Sequence, residues 1–110
     1  MFALHPDGTG ANGDPLDCYT PADFAKLQLL DSDLGSPAPA LLPPLAGSAV
    51  QHLAVQAGKD AILRLLSLGD LSGQGGPGHT GGEVFSLPVP MGGQILTAPA
   101  VWTDPKDGSP

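Results

Sequence analysis

The stretch that most restricts the fold is Gln51 to Gly73, QHLAVQAGKDAILRLLSLGDLSG. From Gln51 to Ala57 it alternates, with Leu53, Val55 and Ala57 on one side and His52, Ala54 and Gln56 on the other, the period of a β-strand. The turn Gly58-Lys59-Asp60-Ala61 follows, then Ile62 to Leu68, apolar on both sides except at Arg64 and Ser67. Asp60 to Leu66 taken alone has good helix propensity. Its shortness, the alternating neighbour and the bounding Gly69 and Gly73 favour a strand, so the stretch predicts a hairpin. A strand apolar on both faces must be covered on both sides, which places it in the middle of stacked sheets.

Composition supports an ordered β chain. Gly 16 and Pro 13 make up about a quarter of the 110 residues, a level at which low complexity is an option. The hydrophobic fraction is 41% and the charged fraction 14%, the opposite of the balance in disordered chains, so glycine and proline punctuate strands. A net charge of −7 with four basic residues gives no patch for nucleic acid or an anionic membrane. Cys18 is the only cysteine, which rules out an internal disulfide and a cysteine zinc cluster. The first residues, MFALHPDG, lack the basic and apolar regions of a signal peptide, and no run approaches a membrane span.

Around the hairpin, residues 2 to 5 predict a brief strand, and 6 to 15 a turn-rich loop with the hairpin-type pairs Asp7-Gly8 and Asn12-Gly13. Asp7, Asn12, Asp14 and Asp17 suggest oxygen ligands, but the order of a calcium loop is missing and turn chemistry accounts for them. The same holds for Asp31-Ser32-Asp33. Thr20-Pro21-Ala22-Asp23 predicts a helix start with Thr20 as cap, and Phe24, Leu27 and Leu30 continue it as a short helix near 21–29. Four prolines around Ala40-Leu41-Leu42 demand a short strand, with Pro39 at its first residue or on an open edge. Glu83 to Pro90 alternates and carries prolines, the marks of an outer strand, and Gln94 to Trp102 predicts one more strand. Gly73, Gly75 and Gly78 match G-x-G-x-x-G, but Pro77 and the later glycines prevent the helix that a pyrophosphate requires.

Ala38-Pro39-Ala40-Leu41-Leu42 and Ala98-Pro99-Ala100-Val101-Trp102 share a pattern at positions sixty apart, with a hairpin and an edge strand between them. That is the period of a four-stranded propeller blade. SDLGSPAPALLP, HLAVQAGKDAILRLLSLGDLSG, HTGGEV and ILTAPAVW together resemble the blades of bacterial pyrrolo-quinoline-quinone-like (quinoprotein-type) β-propeller repeat proteins, over about Asp17 to Trp102. That family usually has glycine at the positions of Ala57 and Ala61, and often aspartate at that of Ser67. The resemblance implies an all-β fold: about one four-stranded antiparallel propeller blade over 36–90, the end of a preceding blade and the short helix in 1–35, and the start of a next blade with a polar tail in 91–110. It also implies neighbouring blades or self-association, and relatives that are mostly periplasmic or extracellular.

No catalytic, cofactor-binding or metal site is predicted. Serines lack a nucleophile elbow, Glu83 is the only glutamate, and His5, His52 and His79 lack ligand spacing. His79, in the glycine loop, is the most function-like histidine. Trp102 is expected to be a strand residue packed between blades. The expected function is a non-catalytic scaffold or binding module, with a fragment of a quinoprotein dehydrogenase as the alternative. That enzyme would hold pyrrolo-quinoline quinone and calcium and use a vicinal disulfide, which Cys18 alone cannot form.

Overall fold

The computed structural model describes residues 1–73, 79–89 and 91–108. Its elements are β1 (Phe2–Ala3), β2 (Asp17–Cys18), α1 (Phe24–Leu29), β3 (Ala40–Leu41), β4 (Leu53–Gln56), β5 (Ile62–Ser67) and β6 (Phe85–Pro88). β1 and β2 pair antiparallel, and β3-β4-β5-β6 form a four-stranded antiparallel meander in chain order. The described fold is therefore mostly β with one short helix.

The Gln51–Gly73 stretch forms the expected hairpin at the centre of the meander, with Val55 opposite Leu65 and Gln56 opposite Arg64. The connecting turn needs two unusual residues. Ala61 has φ 61°, the left-handed region where a side chain is strained and glycine is not. Gly58 lies against the loop before β3. A Cβ there would come 2.8 Å from Leu34 Cα and 2.9 Å from the Asp33 carbonyl oxygen. Lys59 fixes the same contact, its amide donating to the Asp33 carbonyl at 3.0 Å and its ammonium to the Asp33 carboxylate at 2.7 Å.

Register and strand alternation divide the meander into two faces. One carries Val55, Leu63, Leu65, Phe85 and Leu87; the other carries Ala54, Gln56, Ile62, Arg64, Leu66 and Ser86. The second face packs on the N-terminal third. Leu66 is fully buried with Tyr19 and Leu71, and Met1, Ala3 and Leu34 close around them. Gln56, also buried, points its side-chain nitrogen at the carbonyls of Leu34 and Pro37, at 2.9 and 3.2 Å.

The small hairpin is built as its dipeptides predict. Asn12 (φ 54°) and Gly13 (φ 87°) form a tight turn of the I′ kind under the bridge Ala11–Asp14. Asp17 does more than shape a turn: its carboxylate accepts the Leu71 amide at 2.5 Å and joins β2 to the turn that follows β5.

Two expectations are corrected. The helix starts at Phe24, not Pro21, with Asp23 at its cap and no side-chain capping bond. Tyr19 and Pro21 are drawn into the interior and the Thr20 carbonyl accepts the Gly81 amide at 2.8 Å, which holds this segment out of the helix. Residues 94 to 102 form no strand. Ile95 donates to the Gly58 carbonyl at 3.1 Å, and Pro99 to Trp102 lie across the first face beside Leu42, Val55 and Leu63. The glycine-loop residues 74–78 and Pro90 fall outside the described residues.

Replacing Ala61 by glycine removes left-handed strain of about 1 kcal/mol and should raise the melting temperature by a few degrees. Gly58→Ala should lower it, because neither Leu34 Cα nor the Asp33 carbonyl can yield without moving backbone. Differential scanning calorimetry of the two variants checks both signs.

Candidate functional site

The most chemically distinctive place in the structure is a charged side chain inside the sheet. Arg64 sits mid-strand on β5, is 3% exposed, and faces the N-terminal third. A buried charge has to be paired to be tolerated. Asp60, at the start of the strand turn, supplies the partner: its carboxylate accepts from Arg64 Nη2 at 2.5 Å and is itself only 9% exposed. The same carboxylate caps the turn by accepting the Ile62 amide at 3.3 Å. Asp23, at the cap of α1, comes to 4.0 Å from the guanidinium.

Tyr19 and Glu83 complete the arrangement, with the Tyr19 hydroxyl donating to the Glu83 carboxylate at 3.2 Å. Burial, then the Glu83 charge, pushes the Tyr19 phenol well above its usual value, and nearby Arg64 offsets part of this. Burial works against the Arg64 charge, but the hydrogen bond and charge of Asp60 outweigh it, so the guanidinium is held protonated above its ordinary range. One nitrogen of this group, Nη1, is buried without a hydrogen-bond partner. Arg64 also lines a cavity of about 240 Å³ together with Ala22, Asp23, Ile62, Glu83 and Ser86.

The opposite face of the sheet has a different character. Its strand residues Val55, Leu63, Leu65, Phe85 and Leu87 carry no charge. The C-terminal segment covers part of them, leaving an apolar hollow of about 380 Å³ between Leu42, Val55 and Leu63 and the run Pro99 to Trp102, with Asp104 at its border. Phe85 stays 56% exposed, Leu87 48% and Trp102 75%.

The residues weighed in the sequence are dispersed. His5 and His52 are exposed in separate connections, and His79 is half-buried after the glycine loop. Cys18 is buried in β2. Among the described residues no group of three or more His, Cys, Asp or Glu is placed to hold a metal ion. Trp102 is not in a strand and is largely open to solvent, against the expectation of a packed strand residue. Asp7 accepts from the amide and hydroxyl of Thr9 at 3.0 and 2.6 Å, as a turn former does, and the hydroxyl bond holds its carboxyl below the usual value.

Sequence reasoning passes over Arg64, which figures there only as a break in an apolar run. A signal was present: Asp60 precedes it by four positions, and an arginine inside a strand apolar on both faces has to be paired. Nothing local points to Tyr19 or Glu83, which are 64 residues apart. Among the described residues no helix is long and apolar enough to cross a membrane. Comparison with protein-family models, curated proteins and solved structures returns no match for this chain.

The chain has one tyrosine, so its ionisation can be followed by phenolate absorbance without overlap. The folded pKa lies above the unfolded value of about 10. The buried phenol's contribution is therefore fully present below pH about 10 and is lost as pH rises from there through the folded pKa. Tyr19→Phe should flatten that alkaline loss of stability; an ordinary Tyr19 midpoint in the folded chain would contradict the buried pairing. Arg64→Leu should cost about 3 kcal/mol by stranding the Asp60 carboxylate, and adding Asp60→Asn should recover part of it in urea melts.

Proposed function

We propose that this chain is a non-catalytic scaffold or binding module built on one propeller-type blade, of the kind found in bacterial pyrrolo-quinoline-quinone-like repeat proteins. The observation that carries the reading is an uncharged sheet face left partly uncovered: Phe85 and Leu87 lie half exposed in the rows that continue Leu65 and Leu63. A sheet buries such a face by stacking on another sheet at about 10 Å, and neighbouring blades meet in that way. The chain-order meander β3 to β6, with short β3 at one edge, also supports it.

The sheet edges favour face-to-face association over strand addition. The Val89 amide donates inward to the Ala61 carbonyl at 2.8 Å, so alternation turns Pro88 outward, where it offers no N–H. At the other edge the Leu42 amide donates inward to Leu53 at 2.9 Å, which turns Pro43 and Pro39 outward on either side of Leu41. Prolines at outward positions blunt both edges. The partner in this reading is therefore another apolar sheet face, in a neighbouring blade or a second copy.

Light scattering across a concentration series tests the assignment. The chain should associate, or melt without cooperativity, and Phe85→Ser with Leu87→Ser should shift it toward monomer. A monomeric wild-type chain that melts cooperatively would contradict the reading. Calcium and quinone should leave its absorbance unchanged; dye reduction on adding them would favour a dehydrogenase piece.

A further inference from the structure

The uncharged face of the meander already carries a partial cover. The run Pro99 to Trp102 crosses it beside Leu42, Val55 and Leu63, and leaves Phe85 and Leu87 half exposed in the same face. The seating of this cover is shallow. No residue from Met91 to Gly108 is buried: Ile95, Pro99, Val101 and Asp104 are half-buried and the others are exposed. Among the described residues, one backbone hydrogen bond joins residues 93–104 to the meander, Ile95 donating to the Gly58 carbonyl at 3.1 Å. Nor does the run close onto the strands, since a hollow of about 380 Å³ lies between them. A segment held by so few contacts opens locally at low free energy, because ordering its backbone costs entropy that those contacts barely offset.

The face beneath calls for a fuller cover. A sheet stacked on it at about 10 Å would bury Val55, Leu63, Phe85 and Leu87 together. That sheet and the run Pro99 to Trp102 need the same space over Val55 and Leu63, so the two exclude each other. The occupant that fits is a second copy of this chain. Two chains of net charge −7 repel, but the strand residues of this face are uncharged, so two copies can meet through it without opposing like charges. Asp104, the acidic residue in the lining of the hollow, belongs to the cover and leaves with it.

We propose that residues 94–104 are a displaceable cover that competes with a second copy of this chain for the uncharged face. Seated, the segment masks Leu42, Val55 and Leu63; released, it opens the whole face to stacking. This competition rests on the assembly reading and regulates it: the apparent affinity between copies is set by the fraction of chains whose segment is open.

Methyl NMR and light scattering of the full chain test this with Ile95→Pro, which deletes the amide tied to Gly58, and Val101→Ser, which makes a half-buried apolar residue of the cover polar. Neither variant changes the charge or touches a strand. In dilute solution both should shift the methyl signals of Leu42, Val55 and Leu63 while the β5 amides keep their protection. At higher concentration both should associate severalfold more tightly than the wild type, and adding Phe85→Ser with Leu87→Ser should cancel that gain. Unshifted methyls, loss of β5 protection, or opened variants that associate no more tightly than an associating wild type would overturn the cover. Opening without association in any chain, wild type included, would instead overturn the assembly reading and with it the competitor.

Discussion

A guanidinium in the middle of the longest strand sets the terms for the rest of the molecule. Arg64 is more buried than Leu63 and Leu65 on either side of it, and in that environment its charge is tolerated only if carboxylates are held close. Asp60 has to stand at the mouth of the turn, the α1 cap has to approach from the far side, and Tyr19 and Glu83 have to meet across the same region. The N-terminal third packs where it does partly because the sheet presents this charge to it. Asp17 on Leu71, Gln56 on the 34–37 carbonyls and Lys59 on Asp33 extend the same attachment along the sheet.

The consequence is a sheet with two unlike faces. One is closed by polar ties and the small Tyr19–Leu66–Leu71 core. The other is uncharged, partly overlaid by the segment 95–104, and open at Phe85 and Leu87. Outward prolines at both edges remove amides that a further strand would need. A sheet bounded in this way resists extension by a further strand. The left-handed Ala61 belongs to the same arrangement: the turn has to deliver Asp60 to Arg64, and the backbone accepts strain one residue later.

The hairpin, the four-strand order and the short flanking helix are legible in the sequence because each is written in local periodicity and turn residues. Asn12-Gly13 specifies its own turn, with both residues in the left-handed region. The helix start differs because Thr20-Pro21 obeys capping chemistry only when nothing competes. Here burial of Tyr19 and the Gly81 amide compete and win. The run 94–102 has strand composition but finds no strand neighbour, and backbone pairing is a tertiary fact that composition does not encode. The charged cavity is illegible for the same reason: Asp23, Arg64 and Glu83 are brought together by three different parts of the chain.

Hydrogen exchange on the intact chain tests most directly the claim that the structure is a meander centred on β5 and anchored by Arg64. The amides of Leu63 to Leu66 alternate between β6 and β4, so these residues should exchange slowest, while Ser86, inside β6 but turned to the open edge, should exchange fast. Exchange of β5 as rapid as that of the irregular segment 91–102, or a protected Ser86 amide in dilute monomer, would contradict it.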